Sequence, residues 1–259
     1  MKLGISYNLW NGEELLKSSI LSIRNFVDFI SIIYQEKSNH GNKRSDLRPF
    51  LISLLKEKLI NKVHYYEPDL SLNPKLNELN KRNLGLLLSK NANCTHHLSI
   101  DVDEFYNKQF NKAKKYIEQY NVNVSVCQMQ TYYKYPTLQV IPPEKYYVTF
   151  IFAIKSQTKF ILNLKKYPVL VDPSRYIPIH GSFKIFKRKE LEMHHMSYIR
   201  KNIRFKMENA GAKCNYVKKI NRLVNHYENF KEGDQAMCAG KKSVYHNLHK
   251  VSNQFNIKI

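Results

Sequence analysis

The sequence predicts an α/β fold with a mainly parallel central sheet flanked by helices. Two observations predict it. Through residue 101, short apolar runs alternate with amphipathic stretches of helical period, and strands alternating with helices imply parallel neighbours joined by right-handed crossovers. At 259 residues and 43% hydrophobic content, the chain also suffices for one α/β domain with a packed core.

Lys2 to Tyr7 reads as the first strand. Asn11-Gly12-Glu13-Glu14 introduces an amphipathic helix carrying Leu15, Leu16, Ile20 and Ile23. Phe26 to Tyr34, rich in β-branched residues, reads as a buried second strand, followed by a polar loop from Gln35 to Arg44. Asp46 is placed to cap a helix through Leu59, and Lys62 to Tyr66 forms a third strand. Asn73-Pro74 opens a helix to about Lys90, because Asn caps well and Pro fits the first helical position. Thr95 to Ile100 is the fourth strand. Further on, Val122 to Tyr135, Tyr146 to Ile154, Ser182 to Phe186 and Met193 to Tyr198 read as strands. Pro142-Pro143 and Asp172-Pro173 mark loops, helical patterns follow from Ile199 to Asn209 and from Val217 to Phe230, and the chain closes in a polar tail. No internal repeat or low-complexity linker divides it.

The fourth strand ends in Asp101-Val102-Asp103-Glu104-Phe105. Alternation along a strand puts Asp101 and Asp103 on one side. Two carboxylates so placed can hold one hard divalent cation and leave it open sites for water and diphosphate oxygens. An acidic turn that merely ends a strand has the same local spelling. Context favours a site, because ligands of parallel α/β sheets sit beyond the carboxyl ends of the strands. Ser6-Tyr7-Asn8 and Tyr34-Gln35 end their strands at that same edge.

Forty-two Lys and Arg against 21 Asp and Glu give a formal charge of +21. Such a field attracts phosphates, anionic lipid or nucleic acid. The charge is spread out, with clusters at Lys112–Lys115, Lys165–Lys166, Lys184–Lys189 and Lys218–Arg222, and no recognised nucleic-acid module accompanies it. No specific nucleic-acid partner is expected; the charge fits peripheral work at an anionic membrane surface on an acidic glycan or lipid. Cys94, Cys127, Cys214 and Cys238 form no close pair or metal spacing and read as reduced thiols of a cytoplasmic protein. The first residues start on a strand pattern with no signal-peptide architecture, and the longest apolar run, Tyr146 to Ile154, is too short to span a bilayer.

Four segments resemble the GT-A glycosyltransferases, particularly family-2-like enzymes of bacterial or viral glycan synthesis. They are Ile5-Ser6-Tyr7-Asn8 with Gly12-Glu13-Glu14; Tyr34-Gln35-Glu36-Lys37-Ser38-Asn39; Asn80-Lys81-Arg82-Asn83-Leu84-Gly85 ahead of the Asp-x-Asp motif; and His194-His195-Met196-Ser197-Tyr198-Ile199-Arg200 followed by Lys206. Two departures stand out: Lys81 replaces the usual small residue before Arg82-Asn83, and the second loop lacks the common Asp after its Ser.

The resemblance implies a GT-A-like fold in a single domain over 1–259. Residues 1–106 would be the nucleotide-sugar-binding half, 107–210 the acceptor-shaping half and 211–259 a helical segment and tail. It implies that Ser6, Tyr7 and Asn8 line the nucleoside pocket, that Gln35 and Asn39 contact base or ribose, and that Arg82 lies near the nucleotide. Asp101 would meet the ribose or the metal, Asp103 would be the principal metal ligand, and His195 a third ligand. Arg200 and Lys206 would face the diphosphate. The activity implied is metal-dependent transfer, with Mn2+ or Mg2+, of a hexosyl or N-acetylhexosaminyl group from a nucleotide diphosphate, with UDP and inversion favoured. The acceptor would be a glycan, glycolipid or protein. Metal and fixed cations can both stabilise the charge that develops on the leaving diphosphate.

An inverting transfer also needs a carboxylate within reach of the acceptor hydroxyl. Asp172, Glu144, Glu190 and Glu192 are the candidates, although Glu190 and Glu192 also stand where they would simply balance Lys187, Arg188 and Lys189. Two alternatives remain: a non-catalytic relative that binds nucleotide sugar or glycan without turnover, and a basic nucleic-acid-binding protein with salt-sensitive affinity independent of Asp103.

Overall fold

The computed structural model describes residues 1–163, 167–240 and 244–258; the expected basic pair Lys165–Lys166 lies outside them. The first hundred residues build alternating strands and helices: β1 Leu3–Leu9, α1 Glu13–Ile23, β2 Phe29–Tyr34, α2 Arg48–Lys56, β3 Lys62–Tyr65, α3 Pro74–Asn91 and β4 His96–Asp101. These fall within about three residues of expectation. The largest shift is at β2, because Arg24–Phe26 form a 3-10 turn. As read, Asn73 caps α3, accepting the Lys75 N–H at 2.9 Å, with Pro74 first in the helix. The sheet order β4-β1-β2-β3 is parallel throughout.

The remainder contributes β5 Glu104–Phe105, α4 Gln109–Gln119, β6 Val124–Tyr133, β7 Leu138–Ile141, β8 Tyr147–Ala153, β9 Phe183–Ile185, β10 Glu192–Tyr198, α5 Ile203–Asn209, α6 Ile220–Glu228, β11 Ala236–Cys238 and β12 Val244–Lys250. Here parallel pairing gives way. β8 runs antiparallel to β4, and β6 antiparallel to β8, before β7, β12 and β11 extend the edge. The α/β sheet flanked by helices is as expected, but its parallel part is confined to the first half and the whole is mixed. The polar tail corrects to two strands, and the helix expected from Ile199 begins only at Ile203, capped by Asn202.

The two faces of β1 explain where the cavity can open. Leu3, Ile5, Tyr7 and Leu9 join a core with α1, α2 and α4 residues such as Leu16, Ile20, Leu51, Phe110 and Ile117. On the other face α3 lies almost on the sheet. A Cβ added to Gly85 would meet Ser6 Oγ at 2.2 Å, and one added to Gly4 would meet Ser89 Oγ at 2.4 Å. Small residues permit that approach. The cavity therefore opens only past the last turn of contact, at the carboxyl ends of β1, β2 and β4.

Candidate active site

A cavity of about 540 Å³ opens there. Asn8, Gln35 and Asp101 reach it from three parallel strand ends; Lys75, Glu78, Lys81 and Arg82 line it from α3; His195 and Ser197 from β10; Arg200 and Lys206 from the chain that follows.

Asp101 ends β4 half-exposed. Arg82 Nη2 lies 3.1 Å and Arg175 Nη2 2.7 Å from its Oδ2, and Asn8 Nδ2 donates to Oδ1 at 3.3 Å. Arg175 also pairs with buried Glu104, whose Oε2 accepts the Asp101 backbone N–H at 3.1 Å. Burial pushes the Asp101 carboxyl up, but Arg82 and Arg175 outweigh it and hold it far below the usual carboxylate range.

Asp103 lies across the turn and is buried. Its Oδ2 pairs with Arg200, with Lys206 Nζ at 3.1 Å, and with His195 Nε2 at 3.6 Å. Arg200 is aimed by its own neighbours, donating to the carbonyls of Met196 and Ile199 at 2.9 Å. Burial opposes ionisation of Asp103, yet Lys206, Arg200 and His195 together keep its carboxyl well below the ordinary value. Burial also lowers the Lys206 ammonium to about 8, while Asp103 overcomes burial to raise the His195 imidazole.

Gln35 and Asn39, expected from the resemblance to contact base or ribose, both line the cavity. Gln35 Nε2 donates to the Lys37 carbonyl at 2.6 Å and to Asn39 Oδ1 at 3.2 Å. Among the described residues Gln35 Oε1 is buried without a partner, as are Asn8 Oδ1 and Trp10 Nε1. Buried polar atoms are rarely left so. All three residues line the cavity, which gives a ligand both donors and acceptors to satisfy.

Other expectations need correction. Ser6 is fully buried beneath α3, its Oγ 3.3 Å from His97 Nε2. Tyr7 points to the opposite face, where its hydroxyl meets Ser19 Oγ at 3.1 Å. Neither lines the cavity. Glu190 and Glu192 are also off it, bound to Lys184 and Arg188 respectively. Asp172 and Glu144 do line it. Asp172 Oδ1 accepts from Ser174 N at 2.9 Å and Ser174 Oγ at 2.7 Å, and Glu144 Oε1 accepts from Thr131 Oγ1.

The expected metal triad is likewise not assembled. Among the described residues no three His, Cys, Asp or Glu side chains converge as a metal cage. Asp101 does not fit the role, since its oxygens carry two guanidinium groups. Asp103 and His195 fit better: at 3.6 Å their donor atoms are close enough to share a cation with ligand bonds of about 2.0–2.2 Å, provided that cation displaces Arg200 and Lys206 from Asp103 Oδ2.

Arg175, Trp10 and Glu78 were not singled out by the sequence reading. Trp10 carries the one clear signal, an aromatic just past the first strand. Arg175 has none locally, because its partners are 71 and 74 residues away.

No protein-family model matches the chain, and no curated protein sequence matches it. Among solved structures it is similar to S. aureus TarS, at 14% identity and a TM-score of 0.48, covering 90% of this chain; the chain spans 44% of the length of that TarS structure. A TarS 1–349 structure gives 14% and 0.46, with 74% of that chain covered. A protein assigned as a nucleotide-diphospho-sugar transferase, from Desulfovibrio desulfuricans G20, gives 7% and 0.41 over 88% of this chain and 99% of that one. Identity and superposition are both low, so the functional reading has to come from the cavity itself.

Proposed function

We propose that the protein is a nucleotide-sugar-dependent glycosyltransferase of the GT-A kind. One observation carries this reading: two ionised aspartates, each clasped by basic side chains, face one cavity at the carboxyl ends of parallel strands. That cavity's far wall holds unsatisfied polar atoms suited to a nucleoside. Gln35 Oε1, fixed as an acceptor by its amide's two other bonds, suits a ring N–H such as that of uracil, so the favoured donor is a UDP-sugar.

The charge balance supports a divalent cation. Among the described residues lining the cavity, Lys75, Lys81, Arg82, Arg200 and Lys206 stand against Glu78, Asp101, Asp103, Glu144 and Asp172. These five and five cancel, leaving only His195 as added positive charge, so most of a diphosphate's charge enters uncompensated. Asp103 and His195 would hold Mn2+ or Mg2+, which when bound would neutralise that excess.

The chain's own residues would do the rest. Arg82 and Arg175 fix Asp101, and Arg200 and Lys206 present positive charge to the departing diphosphate. Asp172 or Glu144, each with an oxygen free of protein hydrogen bonds among the described residues, would accept the proton of the acceptor hydroxyl in an inverting displacement. The acceptor would be a glycan, glycolipid or protein. No described helix is long and apolar enough to cross a membrane; the +21 charge suits peripheral binding to an anionic surface in the cytoplasm.

Calorimetric titration of UDP, GDP and CMP, with and without Mn2+, tests the reading. The expected result is metal-dependent UDP binding that Asp103→Ala abolishes while the circular dichroism spectrum is retained. Folded protein that binds no nucleotide would overturn it.

A further inference from the structure

Lys81 is one of two places where this chain departs from the family pattern it resembles, and the structure puts it in an unusual position. It is 5% exposed and lines the cavity from α3. Among the described residues no hydrogen bond or ion pair reaches its ammonium. Other cations of the cavity differ: buried Arg82 holds Asp101, while buried Arg200 and partly buried Lys206 hold Asp103. Glu78, one turn earlier on α3, and Asp101 attract Lys81 only at longer range, and Arg82 repels it. Burial prevails over that attraction and draws the ammonium down to about 8.

A buried charge without a bonded partner carries a large desolvation penalty. A simple packing role would be filled better by an apolar side chain of the same length. A compensating ligand removes the penalty, and the cavity is where such a ligand enters.

We propose that Lys81 is an oxyanion-binding residue of the donor subsite, its ammonium taking an anionic oxygen of the bound nucleotide sugar. This rests on the nucleotide-sugar reading above. The oxygen has two sources in such a donor: the diphosphate, or a carboxylate on the transferred sugar. The three donor hydrogens of an ammonium serve either.

The test titrates uridine, UDP, UDP-glucose and UDP-glucuronic acid into the full chain with Mn2+, using wild type, Lys81→Met and Lys81→Arg. If the oxygen is a phosphate's, Lys81→Met weakens UDP about tenfold and leaves uridine unchanged, the usual scale for one charge-assisted hydrogen bond. If it is a sugar carboxylate's, UDP holds, and the preference for UDP-glucuronic acid over UDP-glucose disappears. Lys81→Arg retains wild-type behaviour in both cases. Should Lys81→Met not fold, Lys81→Gln serves as the uncharged variant. A folded uncharged variant that binds all four as wild type does, or loses uridine as much as UDP, overturns the assignment. Wild type that binds none of the four removes the UDP-sugar reading, and this assignment of Lys81 with it.

Discussion

The two aspartates at the end of β4 sit two residues apart and are neutralised in different ways. The partners of Asp101 come from three separate places: Asn8 on β1, Arg82 on α3 and Arg175 in the loop before β9. Those of Asp103 come from one continuous run, residues 195–206. Asp101 is therefore part of the frame, since releasing it means unpicking the sheet, the helix and the loop together. The partners of Asp103 can exchange for a ligand without disturbing β1–β4. The difference assigns structure to one carboxylate and chemistry to the other.

Breaking the Asp101 side has the largest expected effect. Arg175→Met strands Glu104 as a buried charge, takes one of two guanidinium partners from Asp101, and should cost about 3–5 kcal/mol in urea unfolding. Acidification sharpens the contrast next. His97, on β4 behind Asp101, is pushed down to about 3 by burial and by Arg82, so it stays neutral while the unfolded chain takes up its proton near 6.5. Stability should fall as pH drops from about 6.5 towards 3, by roughly 2 kcal/mol at pH 5 from this group. A urea midpoint unchanged between pH 7 and 5 would contradict that. On the Asp103 side, Lys206→Met should cost only about 1–2 kcal/mol, because Arg200 and His195 remain, while donor binding suffers. If Lys206→Met destabilises as much as Arg175→Met, the distinction between the two carboxylates fails. Smallest of all is Glu190→Gln, which weakens a partly exposed pair with Lys184 and should shift stability by about 0–1 kcal/mol without touching donor affinity.

Much of the frame was legible because its signals are local. Strands β1 and β2 are short apolar runs, and the helices of the first half are bounded by recognisable starts. The strands β7 and β12 carry no such signal: half-exposed or exposed for most of their length, they need no apolar alternation. Helix α4 does carry one, with Phe110, Ala113 and Ile117 buried along one side, but lysines crowd its sequence. At the site, the Asp101-x-Asp103 pair was legible from its place at a strand end, and His195, Arg200 and Lys206 through the resemblance alone; all five line the cavity. Ser6 and Tyr7 were misread because the glycine contacts that press α3 onto β1 are tertiary, and because alternation turns Tyr7 away from Ser6. Glu190 and Glu192 were drawn off by Lys184 and Arg188, as neighbouring basic residues allow.

The wiring of the aspartates also bears on how the chain is made. Their five basic partners are Arg82, Arg175, His195, Arg200 and Lys206, and a nascent chain that has reached residue 106 has synthesised both aspartates but only the first of those five. Like charges close together in a poorly solvated turn repel, so the end of β4 is electrically incomplete until residue 206 has left the ribosome. The first 106 residues thus supply both aspartates and fewer than half of the cradle's lining side chains, and the next hundred supply the countercharge that lets it close.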